Sequence, residues 1–295
     1  MFVRHGIRQM RRTWRKTLLL LLLTALLTGA AGGHPRMEDS DGSVALGRLC
    51  GGLAVRNVGR AAGSCGPHNA QRRLTEMTMM ELRQVEFSCR GGQPVLRGVD
   101  AVFESGRFYA LVGKSGAGKS TLLSLMAGLE RPTAGEILLE GESILHMDPN
   151  EYRRRRISVI YQDFALFPML TVLENILYPM ELCRVPADRA LQEAESLAAK
   201  VALPQKLWHS YPTQISGGEQ QRVAIARGLT MNRRLMLADE PTGNLDSENS
   251  DIVIDLLQRL AHEEQRCVIA VTHDLSVMDR ADTVYRLVDG RLTPR

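Results

Sequence analysis

The nine residues Gly113-Lys114-Ser115-Gly116-Ala117-Gly118-Lys119-Ser120-Thr121 match G-x-x-x-x-G-K-[ST], a loop built to hold phosphate. Its glycines let the backbone turn tightly and present bare N–H groups to phosphate oxygens. Lys119 would place a point charge on the β- and γ-phosphates, and Ser120 would offer its hydroxyl to Mg²⁺. Further along, the apolar run Leu235-Met236-Leu237-Ala238 ends in Asp239-Glu240. One acid at the end of a strand means little. Two of them downstream of a phosphate loop supply a carboxylate that can hold Mg²⁺ through water, Asp239, and one that can polarise an attacking water, Glu240. The apolar run 267–272 ends at His273, and a short β-rich run, 157–161, ends at Gln162. A lone histidine or glutamine after a strand is ordinarily structural. In this company His273 becomes a candidate γ-phosphate contact. Ile215-Ser216-Gly217-Gly218-Glu219 is a second Gly-rich stretch that opens a helix, hence a second anion site, but without a lysine. Two half-sites on different segments suggest a nucleotide completed by another copy of the chain.

Each of these groups needs a rigid element behind it. Residues 107–112 read as a buried strand feeding the phosphate loop and 122–128 as the helix leaving it, so a bound anion meets a helix N-terminus. Without that register the loop would only turn a corner. Residues 82–88 alternate apolar and polar (Leu82, Gln84, Val85, Phe87) as a half-buried strand does, Gly91-Gly92 marks a turn, and 95–103 is a second strand. Pro132-Thr133-Ala134-Gly135 reads as a turn before a short strand at 136–141. Arg153-Arg154-Arg155-Arg156 reads as a solvated helix face, with anionic lipid or a membrane partner as the alternative contact. From about Leu166 to Gln214 strand-like runs are missing. Thr171-Val172-Leu173-Glu174 fits a capping box, so a helix starts there, and Pro179 and Pro186 should break it up. Leu191, Ala194, Leu197, Ala198 and Val201 recur at helical spacing, as core packing requires. The expectation is an α/β core with a helical subdomain inserted at about 166–230. Residues 220–229 and 250–262 read as helices, and 283–288 pairs with 291–292 across a type I′ turn at Asp289-Gly290.

The chain of 295 residues allows one large or two ordinary domains, and 44% hydrophobic content suffices for a core. Its five cysteines (Cys50, Cys65, Cys89, Cys183, Cys267) form no C-x-x-C pair, which suits a reduced compartment and argues against a disulfide framework or a zinc site. The net charge of +4 misleads: residues 1–76 hold 12 Lys/Arg against 4 Asp/Glu, so the remainder is mildly acidic and offers no case for nucleic acid. That leader has the layout of a secretory signal: Arg4, Arg8, Arg11, Arg12, Arg15 and Lys16, then an apolar run from Leu18 to Leu27, then small residues. The run is short for a span of about 20 residues. Residues 34–76 lack any period and look unstructured. Export would strand an ATP-using site away from ATP. The preferred reading is therefore that translation starts in the cluster Met77, Met79, Met80; an N-terminal membrane anchor is the competing one. A tryptic peptide running from Met37 to Arg48 in the native protein would refute the first.

Taken together, GKSGAGKST, Gln162, ISGGEQQRVAIAR, LMLADEPTGNLD and VTHD stand in an order and at spacings that resemble the ATPase subunit of the ATP-binding cassette (ABC) transporter family. The resemblance covers about Met79 to Thr293. It implies a P-loop NTPase core with an antiparallel β subdomain and an inserted α-helical subdomain. Gly113 to Thr121 correspond to Walker A, Gln162 to the Q-loop, and Ser216, Gly217, Gly218 and Glu219 to the signature. Asp239 closes Walker B, Glu240 is the catalytic glutamate, Asn244, Leu245 and Asp246 form the D-loop, and His273 is the switch histidine. Ser120, Gln162 and Asp239 would serve the metal. The resemblance also implies a homodimer or paired cassette clamping two ATP·Mg²⁺, each between Walker A of one cassette and the signature of the other. An integral-membrane permease on a separate chain, docked at the cytoplasmic face of the inner membrane, would receive the motion. ADEPTGNLD with EQQRVAIAR looks like the subgroup serving macrolide exporters and lipoprotein release.

Two departures stand out. The aromatic residue that stacks on adenine in the family falls at Cys89. Loss of that stacking, worth about 1–3 kcal/mol by analogy with base stacking, predicts weaker ATP affinity or looser base selectivity. The signature carries Ile215 for Leu, nearly volume-conserving, and Glu219 for Gln, and hydrolysis should survive both. The competing function is an ATPase that signals through a permease-like partner to cell-wall enzymes and moves no solute. Soluble roles in translation or DNA repair fit less well, since the chain holds one cassette and no heptad run separates Lys119 from Asp239.

Overall fold

Residues 78–89 and 92–294 are described by the computed structural model; the leader, Met77 and the cysteines at 50 and 65 lie outside them. In chain order the strands are β1 (Thr78–Ser88), β2 (Pro94–Glu104), β3 (Phe108–Val112), β4 (Ala134–Leu139), β5 (Glu142–Ser143), β6 (Ile157–Ile160), β7 (Leu235–Asp239), β8 (Cys267–Thr272), β9 (Thr283–Val288) and β10 (Arg291–Pro294). The longer α-helices are α1 (Lys119–Met126), α2 (Val172–Leu182), α3 (Ala187–Lys200), α4 (Gly217–Leu229), α5 (Ser247–His262) and α6 (Leu275–Arg280).

Strand β3 is buried at every position and divides its side chains between two cores. Phe108, Ala110 and Val112 join α2 to α5 in one cluster; Tyr109 and Leu111 join α1 and the N-terminal strands in the other. Strands β7 and β8 alternate in the same way, Met236 and Ala238 to the first core, Leu235 and Leu237 to the second. This is the period-2 geometry of a sheet covered on both faces. The six-stranded sheet runs β10-β9-β3-β8-β7-β6, parallel from β6 to β9. Only β10 returns antiparallel, pairing Arg291 with Val288. Asp289 and Gly290 both have positive φ, 48° and 76°, as the expected type I′ turn requires. A second sheet, β2-β1-β4-β5, is antiparallel and caps α1.

The helical subdomain is α2, α3 and the adjoining face of α4. Thr171 caps α2 through the capping box expected from sequence: its N–H donates to Glu174 Oε2 at 2.8 Å, and Glu174 N–H donates back to Thr171 Oγ1. Pro179 does not break the helix; it lies inside α2. An internal proline costs about 3 kcal/mol. The burial of Val172, Leu173, Ile176 and Met180 against α3 and α4 outweighs it. Pro186 instead caps α3. One other expectation is corrected. Ala134 and Gly135 belong to β4 rather than to a turn, because a bulge at Gln84 (φ 46°) brings the β1 backbone onto Gly135, where any Cβ would overlap it. The four arginines lie in a wide π-helical turn, Tyr152–Arg156, with Arg154 and Arg155 exposed as a solvated face requires and Arg153 and Arg156 half-buried. Arg153 donates to Gly128 O at 2.8 Å, and Arg156 pairs with Glu140 at 2.6 Å.

Candidate nucleotide-binding site

The candidate residues come from different strands, and the topology brings them to one edge. The phosphate loop follows β3, Gln162 follows β6, Glu240 follows β7 and His273 follows β8. These are neighbouring parallel strands, so their carboxyl ends open into one crevice, where doubly wound sheets bind ligands. A cleft of about 770 Å³ is lined by every loop residue from Gly113 to Thr121 except Ala117, and by Gln162, Asp239, Glu240 and His273. The Ala117 side chain packs toward the second core.

Gly118 (φ 98°, ψ 12°) is the N-cap of α1, and its carbonyl accepts the N–H of Leu122 at 2.8 Å. The helix thus begins at Lys119, three residues earlier than the apolar pattern suggested. Lys119 Nζ donates to Gly113 O at 2.8 Å and to Lys114 O at 3.2 Å, which folds the ammonium over the loop that phosphate would fill. Gly113 is fixed by its neighbour: a Cβ would lie 2.6 Å from the Leu287 carbonyl on β9.

Opposite the loop, Glu240 takes a left-handed backbone (φ 46°) directly after β7, while its N–H donates to Val271 O at 2.8 Å. A non-glycine residue held there stores strain of about 1–3 kcal/mol, a cost found at functional sites. The twist aims the carboxylate across β8. Glu240 Oε1 lies 2.9 Å from His273 Nδ1, and Glu240 Oε2 accepts the His273 backbone N–H at 3.4 Å. Sequence alone gave these two residues separate roles; the structure makes them a pair. Burial, and after it the adjacent Glu240 carboxylate, push the Asp239 carboxyl above its ordinary range, against the pull of Lys119.

Ser216, Gly217, Gly218 and Glu219 do not line this cleft. They form the first turn of α4, which starts at Gly217 because Ser216 and Glu219 make a reciprocal capping box. Ser216 N–H donates to Glu219 Oε2 at 2.8 Å, and Glu219 N–H donates to Ser216 Oγ at 3.3 Å. Glu219 is therefore a capping carboxylate, and the S-x-x-E spacing carried that signal. Asn244 Nδ2 donates to Gln162 O at 2.8 Å, tying two of the candidate loops together. Asp246 caps α5, which begins at Ser247 rather than 250. Among the residues that sequence reasoning missed, Gln221 donates to Pro241 O at 2.8 Å, and Thr242 Oγ1 donates to Asp274 Oδ2 at 2.8 Å. Both brace the turn after Glu240. Cys89 is exposed just beyond β1, and Phe87 is half-buried against the second core.

A family model for the ABC transporter matches residues 96–243. The chain belongs to the ABC transporter family. It is similar to an uncharacterized ABC transporter ATP-binding protein of Mycobacterium tuberculosis, 41% identical over 75% of this chain and 91% of that one. It is 41% identical to a lipoprotein-releasing system ATP-binding protein, LolD 2, of Rhodopirellula baltica, over 68% of this chain and 81% of the relative. It matches the macrolide export ATP-binding/permease protein MacB of Syntrophobacter fumaroxidans at 39% identity, over 74% of this chain but 32% of that longer protein. A solved dimeric ATP-binding cassette in a post-hydrolysis state with ADP and Pi has a TM-score of 0.68 and 32% identity, covering 74% of this chain and 98% of that one. The chain is thus an ABC ATP-binding subunit whose chemistry is ATP hydrolysis, and its relatives fall in the subgroup that its Walker B wording suggested. Among the described residues no helix is long and apolar enough to cross a membrane.

Proposed function

We propose that this ABC subunit works as a pair that sandwiches ATP, each nucleotide lying between the Gly113 to Thr121 loop of one copy and the Ser216 to Glu219 turn of the other. The observation that carries this is the separation of the two half-sites within one chain: the lysine-bearing loop, Asp239, Glu240, Gln162 and His273 share a cleft to which the α4 turn contributes nothing. Glu240 would take a proton from the attacking water, and His273, held by Glu240, would reach the γ-phosphate. Ser120, Gln162 and Asp239 supply oxygen donors beside Lys119, a hard set that suits Mg²⁺. When bound, the ion neutralises phosphate charge. Asn244, Leu245 and Asp246 would lie at the pair's interface.

The names of the relatives favour export or release of a lipoprotein, peptide or amphiphile through a separate membrane permease, with the subunit peripheral on the cytoplasmic face. An apolar groove of about 340 Å³, lined by Leu129, Phe167, Tyr178 and Leu182 among others, supports a membrane partner, since exposed apolar patches of this kind mark contact surfaces. Mixing two inactive variants tests the pairing. Lys119→Ala disables the loop and Ser216→Arg disables the α4 turn, so each alone should be inactive. An equimolar mixture should regain turnover, up to about a quarter of wild type, because the mixed pair holds one intact site and half of all random pairs are mixed; coupling between the sites lowers the figure. No recovery in a mixture shown to form mixed pairs would refute the sandwich.

Cys89 bears on affinity. With no ring at the position where family members stack adenine, Cys89→Tyr should lower the ATP Kd by about fivefold or more, the lower end of a stacking contribution of about 1 kcal/mol. Equal Kd values for the two proteins by titration calorimetry would remove Cys89 from the base site.

A further inference from the structure

Asn249 touches two stretches that the sequence presents as unrelated. Its Nδ2 donates to Asp246 Oδ1 at 3.0 Å and to Asp246 Oδ2 at 2.9 Å, and its backbone N–H donates to Asp246 Oδ1 at 2.8 Å. Its other side lies against buried Gly218 in the first turn of α4, so closely that a Cβ on Gly218 would overlap the Asn249 amide. Only a residue without a side chain can sit there. Neighbouring contacts run the same way. Leu245 and the Asn244 carbonyl stand within van der Waals reach of a Cβ on Gly217, and Asn244 Nδ2 holds the Gln162 carbonyl. The Gln162 loop, the turn from Asn244 to Asp246, and the first turn of α4 therefore form one contiguous body, with Asn249 at its centre.

We propose that Asn249 is a positioning residue that locks the Asn244 to Asp246 turn onto the α4 N-terminus. Events at a chain's own nucleotide, sensed at Gln162 and Glu240, then reach the turn that completes its partner's nucleotide. The inference rests on the paired-site reading above. Asn249 lines no part of the cleft, so its loss leaves ATP binding by the single chain intact and acts on pairing and turnover.

The test uses full-length Asn249→Ala and Asn249→Asp, the second filling the same space but setting a carboxylate against Asp246. The expected results are an ATP Kd of the isolated chain within twofold of wild type, turnover lower by tenfold or more, and a Hill coefficient for ATP falling toward 1. In a Glu240→Gln background, ATP-driven pairing should weaken at least tenfold. Gly218→Ala probes the same contact from the other side: it should lose activity, and adding Asn249→Gly, which removes the Oδ1, Cγ and Cβ atoms that a Cβ on Gly218 would overlap, should restore activity toward that of the Asn249 variants alone. Turnover within twofold of wild type, a parallel loss of single-chain ATP affinity, or no relief in the double variant would each overturn the role of Asn249. If Glu240→Gln with Asn249 intact fails to pair under ATP, the paired-site reading falls and this inference with it. If it pairs and the Asn249 variants pair equally well, only the inference falls.

Discussion

Glu240→Gln should hydrolyse ATP roughly 10³-fold more slowly than wild type, within the 10²–10⁴ range of a lost general base, while binding ATP at least as tightly. The amide fills the same space but cannot accept a proton. It also removes a negative charge from a cleft that must hold a triphosphate, so nucleotide-bound pairs should accumulate and be visible by light scattering. A second consequence concerns Asp239, whose carboxyl is raised first by burial and then by Glu240, against Lys119. A carboxyl raised in the folded state costs stability as pH climbs from its ordinary range through the raised value. Glu240→Gln relieves part of that cost. The nucleotide-free variant should therefore melt above wild type near neutrality, with this part of the difference vanishing once Asp239 is protonated in both states. A turnover loss below tenfold would show that another group takes the proton.

The phosphate loop, the capping box at Thr171, the type I′ turn and the buried strands were legible because each rests on local chemistry: a glycine that must turn, an oxygen that must reach an N–H three residues on, an apolar run too short for a helix. The convergence of Gln162, Glu240 and His273 was legible only as a resemblance, because strand order is a long-range property and residues 162 and 273 share no local signal. Nothing in the sequence marks the left-handed backbone of Glu240 or its contact with His273. Pro179 was misjudged for the converse reason: local propensity is a weak term beside the packing of α2 between α3 and α4. Asn249 stands one residue before the helix that the apolar pattern marks, and its meaning depends on Gly218, some thirty positions away.

Gly118→Ala should weaken ATP binding by roughly 100-fold, and Gly116→Ala by tenfold or less, although the two glycines stand two residues apart in one loop. Both have positive φ, 98° and 79°, so an alanine at either carries backbone strain of about 1–3 kcal/mol. Their surroundings differ. A Cβ at Gly116 meets nothing within 4 Å. At Gly118 it comes within 2.9 Å of Val95 Cγ1 and 3.2 Å of Leu96 Cδ2, and Leu96 is buried in the second core and has little room to yield. The chain can escape this strain by unwinding the first turn of α1, which moves Lys119 and Ser120 away from the phosphates. ATP must then restore the loop before it can bind, and a restoration cost near 2.8 kcal/mol corresponds to the expected factor of about 100. The buried face of α1 (Leu122, Leu123, Leu125, Met126) is untouched, so global unfolding should shift far less than affinity does. Titration of both variants with a fluorescent ATP analogue, alongside thermal melts, separates the two effects. Equal affinities for Gly116→Ala and Gly118→Ala would mean that backbone conformation alone, and not the Val95 contact, sets the cost of filling this loop.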